Sequence, residues 1–270
     1  MKTSSLIVAH LLAAAVGMGP LAAAAIQQGP DGAEDVAAVA AAALVVQVDH
    51  VVPEYKGGDK FRSPPTIDTA LAEDLARRLQ LPLRAVPADP SGPAAATVRL
   101  TSLRDLAEVP RDVSVVPIDY RAVPMAIMRS DTSIRRWEHL QGRKVCVAAG
   151  GHHVGTVARR HGAVEQVYPS TTDALVALRV GDCDAMVHDS TMLEELLRLP
   201  EWKKFSARLR GNQRSTLAFL VPAQEQSRVQ ALRRVAFEWD AGGYPEQLVK
   251  KTVRDIAFEV YLEQDVPDCH

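Results

Sequence analysis

The stretch over residues 140–189 constrains the fold most. Leu140-Gln141-Gly142-Arg143-Lys144 leads into Val145-Cys146-Val147-Ala148-Ala149, an apolar run of small and β-branched residues between a Gly turn and a Gly-Gly turn. Such a run predicts a buried parallel strand, because a strand covered on both faces has no polar side to present. Gly150-Gly151-His152-His153-Val154-Gly155 follows as a flexible loop opening a short helix over 156–161. Loops of this kind leave backbone N–H groups unpaired and suit small anions or carboxylates. A strand over 164–168 comes next, then Ser170-Thr171-Thr172-Asp173, an N-cap cluster for the helical run Ala174-Leu175-Val176-Ala177-Leu178-Arg179, which Gly181 stops. Cys183-Asp184-Ala185-Met186-Val187 predicts a further strand, delivering His188 and Asp189 to its C-terminal end. The order β-loop-α-β-α-β is an open α/β unit whose strand ends face one crevice.

The rest of the chain frames that unit. With 270 residues, a net charge of −2, 47% hydrophobic and 24% charged residues, it suits a globular protein of one or two lobes and gives no electrostatic case for nucleic acid. Lys2, the apolar residues 6–16 and Pro20-Leu21-Ala22-Ala23-Ala24-Ala25 have the n-region, h-region and small-residue cleavage site of a secretory signal, cut near Ala25. A membrane anchor is the weaker reading, since Gly17, Gly19 and Pro20 interrupt an apolar core that is already short. Residues 26–43 form an Ala-rich leader, expected to be mobile. Leu44-Val45-Val46-Gln47-Val48 predicts the first strand of a first lobe, the run over 69–79 a helix with Leu71, Leu75 and Leu79 on one face, and Leu83-Arg84-Ala85-Val86-Pro87 a second strand. Val98-Arg99-Leu100-Thr101 suits a third. Crossing strands are expected near 123–129 and 216–222, and two terminal helices over 224–239 and 246–261, separated by Ala241-Gly242-Gly243-Tyr244-Pro245. The domain plan is therefore lobe 1 over 44–124 plus 223–270 and lobe 2 over 125–222.

Leu-x-Gly-x-x-Val-x-Val, a Gly-containing loop and Ala-Leu-x-x-Gly-x-x-Asp-Ala-x-x-x-Asp occur here in that order, ending at Asp189. In that order and spacing the chain resembles the second lobe of the periplasmic solute-binding proteins of ABC transporters, in the polar amino-acid-binding branch. The resemblance extends through the C-terminal helices, is modest over 44–87 and is lost over 88–123. It implies the two-lobed α/β type II periplasmic-binding fold, each lobe an open, mostly parallel sheet flanked by helices, with a two-strand hinge. It also implies roles for single residues. Asp189 matches the acid that holds a ligand's α-ammonium group, although an N-cap for the following helix is the alternative. Gly151 and His152 stand where the family binds a carboxylate through backbone N–H groups, and His152 adds a titratable ring. Arg104, in Thr101-Ser102-Leu103-Arg104, stands for the arginine that clamps the carboxylate, with Arg99, Arg111 and Arg121 as rivals. Tyr55, in the turn near Pro53, is a candidate ring to lie over a ligand. Some members carry a disulfide between the strands that here hold Cys146 and Cys183. The βαβ reading makes these two neighbours in an oxidising compartment, so either a bridge or two buried thiols fits, and the resemblance favours the bridge. Cys269 is left over.

The function implied is capture of a small polar solute, an amino acid or related carboxylate, by a monomeric periplasmic protein that delivers it to an inner-membrane ABC permease, with no enzyme activity and no cofactor. Two alternatives use the same scaffold: a dehydratase-like periplasmic enzyme acting on a small carboxylate, and a sensor or accessory module. His152, His153, His188 and Asp189 raise a third possibility, a transition-metal site. Neighbouring strand residues point to opposite faces, so His188 and Asp189 are not expected to share an ion, and no metal is assigned.

Overall fold

The computed structural model describes residues 43–49, 51, 64–88, 97–105 and 109–263. The expected signal segment, nearly all of the leader, Tyr55 and Cys269 lie outside them. The elements in chain order are β1 Leu44–Val48, α1 Ile67–Leu79, β2 Leu83–Pro87, β3 Thr97–Leu103, β4 Val113–Ala122, β5 Pro124–Met128, β6 Lys144–Ala148, α2 Thr156–His161, β7 Val164–Tyr168 and α3 Thr171–Val180. Then follow β8 Ala185–Asp189, α4 Ser190–Leu196, β9 Ala207–Arg210, β10 Ser215–Pro222, α5 Gln226–Ala241 and α6 Tyr244–Leu262.

These strands make two five-stranded sheets, ordered β2-β1-β3-β10-β4 and β7-β6-β8-β5-β9. Each is mixed. β1 runs parallel to β2 and β3, while β10 is antiparallel to β3 and β4. β6 is parallel to β7 and β8, and β5 is antiparallel to β8 and β9. Chain direction within each sheet carries the parallel strand ends β1, β3, β6 and β8 toward one crevice, where ligands of open α/β folds sit.

The local chemistry explains the elements. α1 starts where Thr66 accepts a bond from the Thr69 N–H and ends at Gln80, which takes the left-handed conformation. α3 starts at Ser170, whose hydroxyl accepts from Asp173 N, and stops at Gly181 with φ 88°. α6 begins with Tyr244-Pro245 after Gly243. Apolar faces of α1, α5 and α6 cover the first sheet, and one buried cluster runs from Leu71, Phe219 and Trp239 to Leu175, Leu193 and Trp202 of the second lobe. α6 packs against both α3 and α4, so the closing helix belongs to neither lobe alone. Under it, the buried carboxylate of Asp74 accepts from the Trp239 indole and Arg78 Nε, each at 2.6 Å, and also pairs with Arg77.

Two differences from the sequence reading concern the crossings and β4. β10, expected as a returning hinge strand counted with the second lobe, lies wholly in the first sheet, because its apolar residues pair on both sides, with β3 and with β4. The second crossing therefore falls at residues 211–214. There the Gly211 N–H donates to the Pro124 carbonyl at 2.7 Å, and a Cβ at Gly211 would meet that oxygen at 3.0 Å, which ties the two crossings together. β4 fills the region where no strand was expected, with Val116, Ile118, Tyr120 and Ala122 buried and Pro117, Asp119 and Arg121 outward. β8 also starts two residues later than Cys183. Asp184, expected within the strand, lies in the bend before it and accepts the Lys144 N–H at 3.0 Å. Cys146 and Cys183 form the disulfide, with Cα atoms 5.8 Å apart. No helix among the described residues is long and apolar enough to cross a membrane.

Candidate functional site

A crevice of about 1000 Å³, counting its solvent-open mouth, lies between the lobes. The first lobe lines it with Asp49 at the end of β1, Thr66 and Asp68 at the start of α1, and Tyr120 from β4. The second lobe contributes the loop after β6 (Gly150 to His153), the start of α3 (Ser170 to Thr172), and His188 and Asp189 at the end of β8. Gly150 and Gly155 bound that loop with φ of 70° and 71°, the left-handed backbone that lets it turn back over the strand ends.

Asp189 is the centre of the arrangement. It occupies the N-cap position of α4 but makes no capping bond with its side chain. Instead the buried carboxylate turns to the crevice. The Tyr120 hydroxyl donates to Oδ2 at 2.8 Å, and His153 Nε2 and His152 Nε2 lie 2.9 and 3.2 Å from Oδ1. Burial by itself would raise its pKa, but the hydrogen bonds from His152 and His153 outweigh that and hold the carboxyl well below the usual carboxylate range. Burial pushes the His153 ring down despite the bond to Asp189, so their contact is a neutral N–H donating to a carboxylate. His188, driven to about 4 by burial, accepts the Asp189 N–H on Nδ1 at 2.8 Å and reaches Thr171 Oγ1 at 3.3 Å through Nε2. Its two ring nitrogens are thus engaged by the backbone and Thr171, apart from the contact of His152 and His153 with Asp189. On the opposite wall, burial raises the pKa of Asp49, and the Thr101 hydroxyl, within 3.0 and 3.2 Å of its two oxygens, partly offsets this.

Among the residues singled out from the sequence, Asp189, Gly151 and His152 line the crevice together. The Gly151 N–H bonds to the Ala148 carbonyl at 3.4 Å. Arg104, just past β3, sends Nη2 across to the His152 carbonyl at 2.8 Å and so links the lobes. Tyr55 is outside the described residues. Tyr120, Asp49 and Asp68 are crevice residues that sequence reasoning missed. The alternation along β4 signals a half-buried strand and so a buried Tyr120, whereas Asp49 and Asp68 carry no signal beyond standing at the end of a strand and the start of a helix. His152, His153 and Asp189 bring three metal-competent donor atoms within 4.8 Å of one another.

No protein-family model matches the chain, and neither does any curated protein. Solved structures do. A P235GK mutant of ArgBP from T. maritima is 20% identical with TM-score 0.55, covering 82% of this chain and 98% of that one. The amino acid ABC transporter substrate-binding protein AbpA from Streptococcus pneumoniae, bound to L-arginine, is 16% identical with TM-score 0.56 over 82% and 98%. A histidine kinase sensor domain with similarity to periplasmic binding proteins is 19% identical with TM-score 0.53 over 77% and 95%. The chain has the two-lobed α/β fold of these structures.

Proposed function

We propose that this chain is an exported, monomeric solute-binding protein that captures a small cationic solute, an amino acid of the arginine or lysine type in the first instance, and delivers it to an inner-membrane ABC permease. The observation that carries the reading is the charge of the crevice. Asp49, Asp68 and Asp189 face it from both lobes, and no lysine or arginine lines it among the described residues. A cation between two acidic walls gains from both, so it favours the lobes together over the lobes apart. The solute's carboxylate would meet the loop over 150–152, which Arg104 holds through the His152 carbonyl. That one structural neighbour is an amino acid ABC transporter substrate-binding protein holding L-arginine agrees with this choice. The sensor-domain neighbour favours one second reading, in which the same closure reports to a signalling partner in place of a permease.

Titration calorimetry of the mature protein with L-arginine, L-lysine and L-glutamate tests the reading. The two cationic amino acids should bind, Asp49→Asn should cost about 1.5 to 3 kcal/mol of affinity through one lost charge-assisted contact, and Arg104→Ala should weaken binding by releasing the His152 loop. Glutamate binding with no cationic ligand bound would refute it.

A further inference from the structure

We propose that His152, His153 and Asp189 form a binding site for a divalent d-block ion of the Zn²⁺ class on the second-lobe wall of the crevice. The proposal goes beyond the solute reading and does not rest on it: it shares Asp189 with that reading and needs neither Asp49 nor Asp68 on the facing wall. Strand alternation keeps His188 and Asp189 from sharing an ion. The adjacent histidines of the loop supply the missing geometry instead.

The donors converge on one point. Both imidazoles aim Nε2 at the same carboxylate oxygen, Asp189 Oδ1, at 3.2 Å and 2.9 Å, and the three donor atoms lie within 4.8 Å of one another. Two atoms bound to one tetrahedral Zn²⁺ at the usual lengths stand about 3.3 Å apart. An ion therefore enters in place of the two imidazole–carboxylate hydrogen bonds, with each ring carrying its proton on Nδ1, shifts of a few tenths of an ångström at the two oxygen–nitrogen pairs and a rotation of the rings to bring the third pair together. Two imidazoles and a carboxylate are the donor set such ions favour, whereas Ca²⁺ and Mg²⁺ favour all-oxygen shells. Three donors on one side leave the remaining coordination positions open toward the crevice.

The surroundings hold the donors in place. Tyr120 donates to Oδ2, the carboxylate oxygen not aimed at by the histidines, and so fixes Asp189 as a one-oxygen ligand. The His152 carbonyl accepts from Arg104 Nη2 at 2.8 Å and from Thr156 Oγ1 at 3.3 Å, which pins the loop that carries both rings. His153 is nearly fully buried, while the His152 side chain is 18% exposed and gives the ion a path in.

The test is titration of the mature protein, untagged and stripped with chelator, with Zn²⁺ alone and then Co²⁺ alone, no amino acid present. One ion per chain should bind saturably, and Co²⁺ should give the intense visible d–d absorption of a low-coordinate site. His152→Ala should weaken binding by more than about a hundredfold, the upper end for loss of a second-shell partner, and Tyr120→Phe by about tenfold. His139→Ala, on the exposed surface, and Cys269→Ser should leave it unchanged. Because His153→Ala removes a buried ring and can unfold the chain, His152→Ala is the deciding variant, with circular dichroism confirming its fold. Absence of saturable binding, binding that survives His152→Ala, or Co²⁺ bound without that absorption would each overturn the proposal. None of those results touches the amino-acid titrations.

Discussion

Replacing Tyr120 by Phe keeps the ring and removes one hydroxyl. Tyr120 is 5% exposed on β4 of the first lobe, and its Oη donates at 2.8 Å to Asp189 Oδ2 on β8 of the second. The lost bond is to a buried charge, which sets the cost at about 1.5 to 3 kcal/mol. The ring packing stays, so cavity terms add little. Urea unfolding at pH 7, followed by circular dichroism, measures it as a lower midpoint at unchanged slope. The pH dependence supplies a second check. Burial first, then the Asp189 charge and the bond to it, push the Tyr120 pKa well above 10.0. An acid whose folded pKa is raised contributes stability fully present below its unfolded value and lost as pH climbs past it. The wild type should therefore lose stability above pH 10 faster than Tyr120→Phe, and the gap between them should narrow. A loss under about 0.5 kcal/mol at pH 7, the scale of an ordinary surface substitution, would refute the claim that this bond joins the lobes.

Other perturbations reach other parts of the molecule. Asp74→Ala leaves the buried Trp239 indole and Arg78 without their acceptor, and thermal unfolding should register about 3 kcal/mol of destabilisation. Burial, then the Glu263 charge, raises the Glu259 pKa to about 7, so its contribution is present below the unfolded value of 4.5 and lost as pH rises toward 7. Glu259→Gln should therefore raise the melting temperature at pH 8 and leave it nearly unchanged at pH 4, by less than about 1 kcal/mol after screening of this partly exposed group. The Cys146–Cys183 bridge closes a span of 37 residues, worth about 4 kcal/mol in the chain-entropy model, and dithiothreitol should lower the unfolding midpoint accordingly.

Much of the second lobe was legible because its information is local. Caps such as Ser170, stops such as Gly181 and the apolar run at Val145 each declare an element within a few residues. Nearness of Cys146 and Cys183 followed from βαβ topology alone. β4 carries the alternation of a half-buried strand, but Pro117 inside it and Pro110 shortly before it argue against one, and the prolines masked the signal. The placement of β10 was missed for a different reason: an apolar strand does not name its neighbours, and its partners β3 and β4 lie about a hundred residues earlier. In the crevice, Asp189 was legible from its place at a strand end. Its partners were less so, since Tyr120 stands 69 residues away and His153 meets it only because the Gly-rich loop folds back.

The central claim is that an acidic interlobe crevice binds a cationic solute, and a thermal-shift panel tests it most directly. The mature protein is melted at one ionic strength with cationic, neutral and acidic amino acids, each in large excess. A cationic amino acid at a hundred times its dissociation constant should add about 2.7 kcal/mol and raise the melting temperature by several degrees, with Asp49→Asn diminishing the shift. A well-folded sample that is stabilised by acidic amino acids, or by none of the panel, would contradict the account.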